Sequence, residues 1–392
     1  MPSNALATWI EELRKGLRAL EARNQCRNLA EIHGVNLCSN DYLGLAVHPK
    51  LHKATVNAVQ HAHRVGGTGS RLLSGQTEEW RTLEEEFARF AGTEATLFFS
   101  SGYAANLGLL AALVGKDDVV YSDVLNHASL IDGMRLSGAR KVIYPHLDLE
   151  ALEDSLREGP GAPWRKVIIT ESIFSMDGDV APLKEIAGLA DKYGAAIVLD
   201  EAHSTGVLGP QGRGLAAEAG IVPQLLAVIH TCGKALGCAG AFVCGSAVLK
   251  EHLINHARTF IYSTALPPYF ARQIGAALEL AAGMDKERRE LQERATRFRN
   301  ALRAGGFDTA GSSSQIVPVV FGKNEETLDA AEHLQRDGFA VRAIRPPTVP
   351  EGKARLRFSL TCRIPGPELD RLVRSLVSWR ARHPVLSVAR RA

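Results

Sequence analysis

Four short apolar runs, Val167–Thr170, Ile197–Leu199, Val228–Ile229 and Ala241–Val243, recur along the chain with helically patterned stretches between them. Each is too short for a buried helix and lacks the polar alternation of a half-exposed strand. A strand that is apolar throughout must be covered on both faces, as in a parallel sheet packed between helices. The pattern predicts an α/β fold built on a large, mostly parallel sheet. A further strand is expected at Ala95–Phe99, followed by a Ser-Ser-Gly turn and a helix over Ala104–Val114. Ahead of it, Thr77 is placed to cap a helix on which Trp80, Leu83, Phe87 and Phe90 share one face, with Gly92 ending it.

Outside this core, Leu6, Trp9, Ile10, Leu13, Leu17 and Leu20 fall on one helical face. They predict an N-terminal helical arm, within residues 1–44, packed on a larger body at 45–285. A charge-dense helix over Lys286–Gly305 then leads into a smaller C-terminal α+β domain, residues 286–392. Its expected parts are strands at Ile316–Phe321, Val341–Ala343 and Arg355–Leu360, a helix at Glu325–Asp337, and a last helix carrying Leu369, Leu372, Val373 and Leu376.

The formal net charge of +3 gives no reason to expect a nucleic-acid or membrane partner. Arg380, Arg382, Arg390 and Arg391 read as a solvated tail. Met1-Pro2-Ser3-Asn4 lacks the basic-then-apolar pattern of a signal peptide, and six scattered cysteines suit reduced thiols, so a cytoplasmic location is expected. Cys232, Cys238 and Cys244 recur every six residues, wider than zinc-ligand spacing, and no metal is expected. His252 and His256, without an intervening zincin glutamate, read as surface residues.

In an open parallel sheet, ligands bind beyond the carboxyl ends of the strands. Here four predicted strands end in polar clusters: Ser100-Ser101-Gly102-Tyr103, Glu171-Ser172-Ile173-Phe174-Ser175, Asp200-Glu201-Ala202-His203 and His230-Thr231-Cys232-Gly233-Lys234. Pyridoxal 5'-phosphate (PLP) asks for such a set: a lysine for the imine, a carboxylate at the pyridine nitrogen, a flat group over the ring, and amides with hydroxyls around the phosphate. Asp200, directly after an apolar run, suits the pyridine nitrogen, because an opposite charge keeps that nitrogen protonated. Gly102 at a helix start offers amides to a phosphate. Each residue alone has an ordinary reading: a surface lysine, a capping aspartate, a structural histidine. Their joint order at successive strand ends is what points to a cofactor.

Asp200-Glu201-Ala202-His203-Ser204-Thr205-Gly206 and Thr231-Cys232-Gly233-Lys234-Ala235-Leu236-Gly237 resemble the aspartate–histidine and Schiff-base lysine motifs of the α-oxoamine synthases. Ser39-Asn40-Asp41-Tyr42-Leu43-Gly44-Leu45, Gly69-Ser70-Arg71, Asn126-His127-Ala128-Ser129 and Ser175-Met176-Asp177-Gly178-Asp179 match in family order, so the resemblance runs from Asn40 to Leu376. It implies the PLP-dependent transferase fold of type I, like aspartate aminotransferase, acting as a homodimer with sites at the interface. It implies Lys234 as imine lysine, Asp200 at the pyridine nitrogen and His127 over the ring, with Gly102, Tyr103, Ser175, His203 and Thr231 as further cofactor contacts. Arg27, Asn40, His127, Arg345, Thr348 and Arg357 are its substrate-side candidates, Arg357 for the amino-acid carboxylate. Cys232 stands where the family more often has an aromatic residue.

Arg345-Pro346-Pro347-Thr348-Val349-Pro350 and Phe260–Pro268 resemble the biotin-pathway branch. That branch joins L-alanine to a pimeloyl thioester, carried on coenzyme A or on acyl carrier protein. The alternatives are a sister enzyme using glycine with acetyl-CoA or serine with a long acyl-CoA, and a non-catalytic partner subunit. A nicotinamide dehydrogenase would need Gly-x-Gly-x-x-Gly after the first strand, and Gly66–Gly75 lacks that spacing.

Overall fold

The computed structural model describes residues 4–161 and 164–383. Seven strands form the main sheet: β1 (Ala95–Phe99), β2 (Asp118–Asp123), β3 (Arg140–Tyr144), β4 (Arg165–Glu171), β5 (Ala195–Asp200), β6 (Ala227–Thr231) and β7 (Ala241–Gly245). Their order is β1-β7-β6-β5-β4-β2-β3, with β7 antiparallel to both neighbours and every other pairing parallel. The side chains divide by alternation. Ile168, Ile197, Leu199 and Val228 enter one buried cluster, while Val167, Ile169, Val198 and Ile229 enter the other. That is why these runs carry no polar alternation: both faces are core, each such side chain contributing roughly 1.5–3 kcal/mol on burial.

Two strands of this sheet are missing from the sequence reading. β2 has only Val119, Val120 and Tyr121 as apolar signal, with aspartates near both ends. β3 is the sheet edge, so it exposes Arg140, Lys141 and Ile143 and gives no apolar run.

Beyond the helix Asp285–Ala304 lies a three-stranded antiparallel sheet of β8 (Ile316–Gly322), β9 (Ala343–Ile344) and β10 (Ala354–Ser359), ordered β9-β10-β8. The strand expected at Val341–Ala343 is a correction: Phe339–Ala340 pairs with Val35–Asn36 and Ala343–Ile344 with β10, leaving Val341 and Arg342 between partners. The terminal Arg-rich end is a second correction. Arg380 belongs to the helix Gly366–Ala381 and donates to the Gly305 carbonyl, and Arg382 contacts His333, while Arg390 and Arg391 lie outside the described residues.

The helix Asn4–Ala22 forms as expected, yet its apolar face does not pack on the body. Leu6, Trp9, Ile10, Leu13 and Leu17 are 39–72% exposed. Among the described residues no helix is long and apolar enough to cross a membrane.

The two sheets meet at residues 175–179. Gly178 has φ +69°, and a Cβ there would stand 2.1 Å from the Ile316 carbonyl oxygen, so only glycine fits. Its own carbonyl accepts from Ser313 and Ser314. Asp177 pairs with Arg355, and the Ser175 carbonyl accepts from Arg357, both arginines lying two apart on β10. Beneath the loop, His146 bridges Asp123 at 2.9 Å and Asp179 at 2.7 Å. Burial opposes charge on that imidazole, but the hydrogen bonds to the two aspartates outweigh it and raise its pKa to about 10.

A histidine whose folded pKa is raised stabilises the fold fully below its unfolded pKa, and the gain is lost as pH rises through about 10. The melting-temperature gap between wild type and His146→Gln is therefore expected to be widest near and below neutrality and to close as pH passes about 10. Calorimetry from pH 6 to about 11 checks this. A gap that stays constant across the range would remove the ionic bridge from the account.

Candidate active site

The carboxyl ends of β1, β4, β5 and β6 deliver their polar clusters to one place. Glu171 and Asp200, the last residues of β4 and β5, are direct neighbours in the parallel register. Lys234 follows three residues after β6, in a turn held by bonds from Cys232 N–H to the Gly240 carbonyl (2.8 Å) and from Gly237 N–H to the Lys234 carbonyl (2.9 Å). The Lys234 amine lies 2.9 Å from His203 Nε2. Burial pulls its pKa down, Asp200 and Glu171 pull it up, Arg357 pushes it down, and the balance is about 8. Lys234 and Asp200 thus share one buried site. Cys232 is fully buried in the core.

Asp200 is 5% exposed and accepts from Asn106 Nδ2 at 2.7 Å and from the Ala202 amide at 2.8 Å. Its neighbour Glu171 accepts from the His127 amide at 2.6 Å. Burial, reinforced by Asp200, pushes the Glu171 carboxyl well above the usual carboxylate range. His127 caps the helix Ala128–Ser137, accepting from the Ser129 amide on Nδ1. Burial lowers its pKa, with Asp200 opposing and Lys234 assisting, so the ring is a neutral, flat surface.

Ser101 caps the helix Gly102–Leu113 through Ala104 N–H. A Cβ on Gly102 would come within 2.8 Å of Thr231 Cγ2, so the bare glycine lets this helix start lie against β6. The amides of its first turn have no intrahelical acceptor and sit at the positive end of the helix dipole. Tyr103 presents its ring edge to His127 and donates to Asp132.

Arg357 is 9% exposed and donates from Nη1 to Asn40 Oδ1 (3.1 Å) and to Ser359 Oγ (2.7 Å). Its Nη2 is buried without a hydrogen-bond partner. A buried guanidinium nitrogen left unpaired is costly, and a carboxylate is the group that completes its fork. Arg27, Thr348 and Arg345 form a second group. Arg27 donates to Thr348 Oγ1 at 3.1 Å, and Arg345 donates to the Asn24 and Cys26 carbonyls, bracing the segment after the N-terminal helix.

Sequence reasoning gave no role to Asn106, Glu171 or Tyr42. Asn106 is a polar residue inside an apolar helix, four positions after Gly102, and that misfit was its signal. Glu171 and Tyr42 sat within motifs already noted, but only the folded register places them beside Asp200 and His203.

The donor set fits PLP: an amine with a lowered pKa, a buried acceptor carboxylate, a neutral ring and helix-start amides, all at the edge of one sheet. The family model for aminotransferase class I and II matches residues 32–376. The 8-amino-7-oxononanoate synthase of Geobacter sulfurreducens is 47% identical over 382 residues, covering 95% of this chain and 97% of its own. That of Geobacter metallireducens is 48% identical over 83% of each. Among solved structures, the 8-amino-7-oxononanoate synthase of Francisella tularensis aligns with a TM-score of 0.78 at 30% identity, covering 90% of this chain and 99% of its own. A serine palmitoyltransferase from S. paucimobilis with bound PLP–myriocin aldimine aligns with a TM-score of 0.88 at 28% identity, covering 97% and 99%. Likeness of this extent, joined to that donor set, makes the chain a PLP-dependent member of the aminotransferase class I and II family, in the group of the 8-amino-7-oxononanoate synthases.

Proposed function

We propose that the protein condenses L-alanine with a pimeloyl thioester, releasing carbon dioxide and the free thiol carrier and yielding 8-amino-7-oxononanoate in biotin synthesis. The observation that carries this reading is the buried Lys234 amine, with its pKa near 8, set among Asp200, His203 and His127. When bound, PLP withdraws electrons from the amino-acid α-carbon so that bonds there can break heterolytically.

The chain's own residues do the rest. Lys234 would anchor the cofactor and, when free, would serve as the base for the α-proton, its pKa of about 8 lying close to neutrality. Asp200, fixed by Asn106 and the Ala202 amide, holds a proton on the pyridine nitrogen. His127 would cover the ring as a neutral surface, and the helix start at Gly102 and Tyr103, with Thr231, would receive the phosphate. Arg357, held by Asn40 and the Ser175 carbonyl, pairs with the alanine carboxylate through its unpaired Nη2. Arg27 and Thr348 border the acyl donor's path, with Arg345 shaping that border through the carbonyls it grips. The protein works in the cytoplasm.

The active species is a homodimer. Large apolar side chains stand bare on the N-terminal helix and around the short helix Arg71–Gly75, whose leading loop is tied to the 262–265 segment where Ala265 N–H bonds the Gly69 carbonyl at 2.9 Å. Val65, Leu72, Leu73 and Tyr262 are 49–85% exposed there. Large apolar side chains left exposed on a single copy mark an interface, and a second copy is the partner argued for.

The purified protein is expected to show a visible PLP absorbance that is absent from Lys234→Ala. The rate at which apoprotein captures PLP should rise with pH and level off above about 8, because the free amine forms as pH rises through that value. Arg357→Lys should keep the absorbance and raise KM for alanine on the order of 10- to 100-fold, the worth of a charged hydrogen bond from a nitrogen held in fixed geometry. Product analysis with alanine, glycine and serine against pimeloyl-, acetyl- and palmitoyl-CoA tests the substrates, and turnover confined to glycine with acetyl-CoA would refute the assignment. Leu73→Glu with Tyr262→Glu should sediment as a monomer and lose activity, and an unchanged mass would refute the interface.

A further inference from the structure

Behind Lys234 runs a chain of hydrogen bonds whose middle members, His203 and Tyr42, have no step in the reaction as described. His203 Nε2 faces the Lys234 amine at 2.9 Å, and His203 Nδ1 faces the hydroxyl of Tyr42 at 2.7 Å. That hydroxyl also lies 3.1 Å from Asn40 Oδ1, which in turn meets Arg357 Nη1 and Ser359 Oγ, each at 3.1 Å. Tyr42 is fully buried, and its backbone is fixed by a bond from Cys362 N–H to its carbonyl.

The direction of each bond can be assigned by counting protons and lone pairs. Arg357 can only donate. Its Nη1 has two hydrogens, one directed at Ser359 Oγ (2.7 Å) and one at Asn40 Oδ1. Ser359, having accepted, turns its own hydrogen to Asn40 Oδ1. An amide oxygen has two lone pairs, and both are now filled. The single hydrogen of Tyr42 therefore goes to its nearer neighbour, Nδ1 of His203.

We propose that Tyr42 is a positioning residue, whose hydroxyl donates to Nδ1 of His203 and holds the ring with its one remaining proton on Nε2, aimed at the Lys234 nitrogen. The inference rests on the roles given above to Lys234 and the cofactor. Burial, with Lys234 and the Arg357 guanidinium nearby, keeps His203 neutral, so the ring carries one N–H and its location is decided by Tyr42. An N–H aimed at an amine requires that amine to offer a lone pair. The arrangement therefore disfavours protonation of the Lys234 nitrogen, as burial does. The substrate-carboxylate arginine sits at the far end of the same chain. One run of contacts thus links the group that receives the carboxylate to the group that sets the lysine's proton affinity.

Tyr42→Phe keeps the ring and its packing but removes the hydrogen from Nδ1, so the histidine proton is free to move there and leave Nε2 bare. A lone pair facing the lysine nitrogen favours its protonated form. The pH midpoint of the holoenzyme's visible absorbance is expected to rise by about one unit, the size of one buried hydrogen bond. A loss of packing alone would not move that midpoint. The wild-type holoenzyme labelled with 15N-histidine gives a direct reading without any variant: the His203 pair, assigned by its absence from His203→Asn, should report a protonated Nε2 and a bare Nδ1. A wild-type spectrum with the proton on Nδ1 would overturn the proposal, as would a folded, coloured Tyr42→Phe with an unmoved midpoint. A wild-type protein without visible absorbance would refute the reading of Lys234 itself and leave the nitrogen spectrum to decide the tautomer.

Discussion

An ammonium group taken out of water loses hydration that neighbouring charges must replace, and the level of that replacement decides whether it is a base. At Lys234 the replacement is partial. Burial and the Arg357 guanidinium lower its proton affinity, while Asp200 and Glu171 restore part of it, leaving a pKa of about 8. Fuller burial without the carboxylates would make the amine a weak base, and a water-exposed lysine would stay charged. The seven-stranded sheet matters because it brings the ends of β4 and β5 to the nitrogen that follows β6 and covers those strands on both faces.

Two carboxylates stand side by side at this edge, and their surroundings separate them. Asp200 has an amide side chain and a backbone amide to accept from, whereas Glu171 has one backbone amide and complete burial. Burial and Asp200 together push Glu171 well above the usual carboxylate range. Asp200, the better supplied with donors, is the carboxylate proposed for the pyridine nitrogen. Glu171 instead fixes the position of His127 by holding its amide.

Much of this was legible in the sequence. The apolar strands, the order of their polar ends and the pairing of Lys234 with Asp200 follow from local patterns, because a doubly covered strand must be apolar and its end must turn to ligand. What was not legible depends on contacts between remote segments. Tyr42 meets His203, Arg357 meets both Asn40 and the Ser175 carbonyl, and His146 meets Asp179, with no local period announcing any of them. The edge strand Arg140–Tyr144 was missed because an edge needs no apolar run. The N-terminal helix was read correctly as amphipathic, but amphipathicity names a buried face without naming what buries it.

Arg357 is gripped at once by Asn40, by the carbonyl of Ser175 and by its strand neighbour Ser359. The first of these partners lies 317 positions away along the chain and the second 182. No fragment of the polypeptide can carry this pocket, so the proposed carboxylate site exists only in a completed tertiary structure. A small acid bound at Arg357, as proposed, would act as a keystone, favouring by mass action the one conformation in which all three segments have come together.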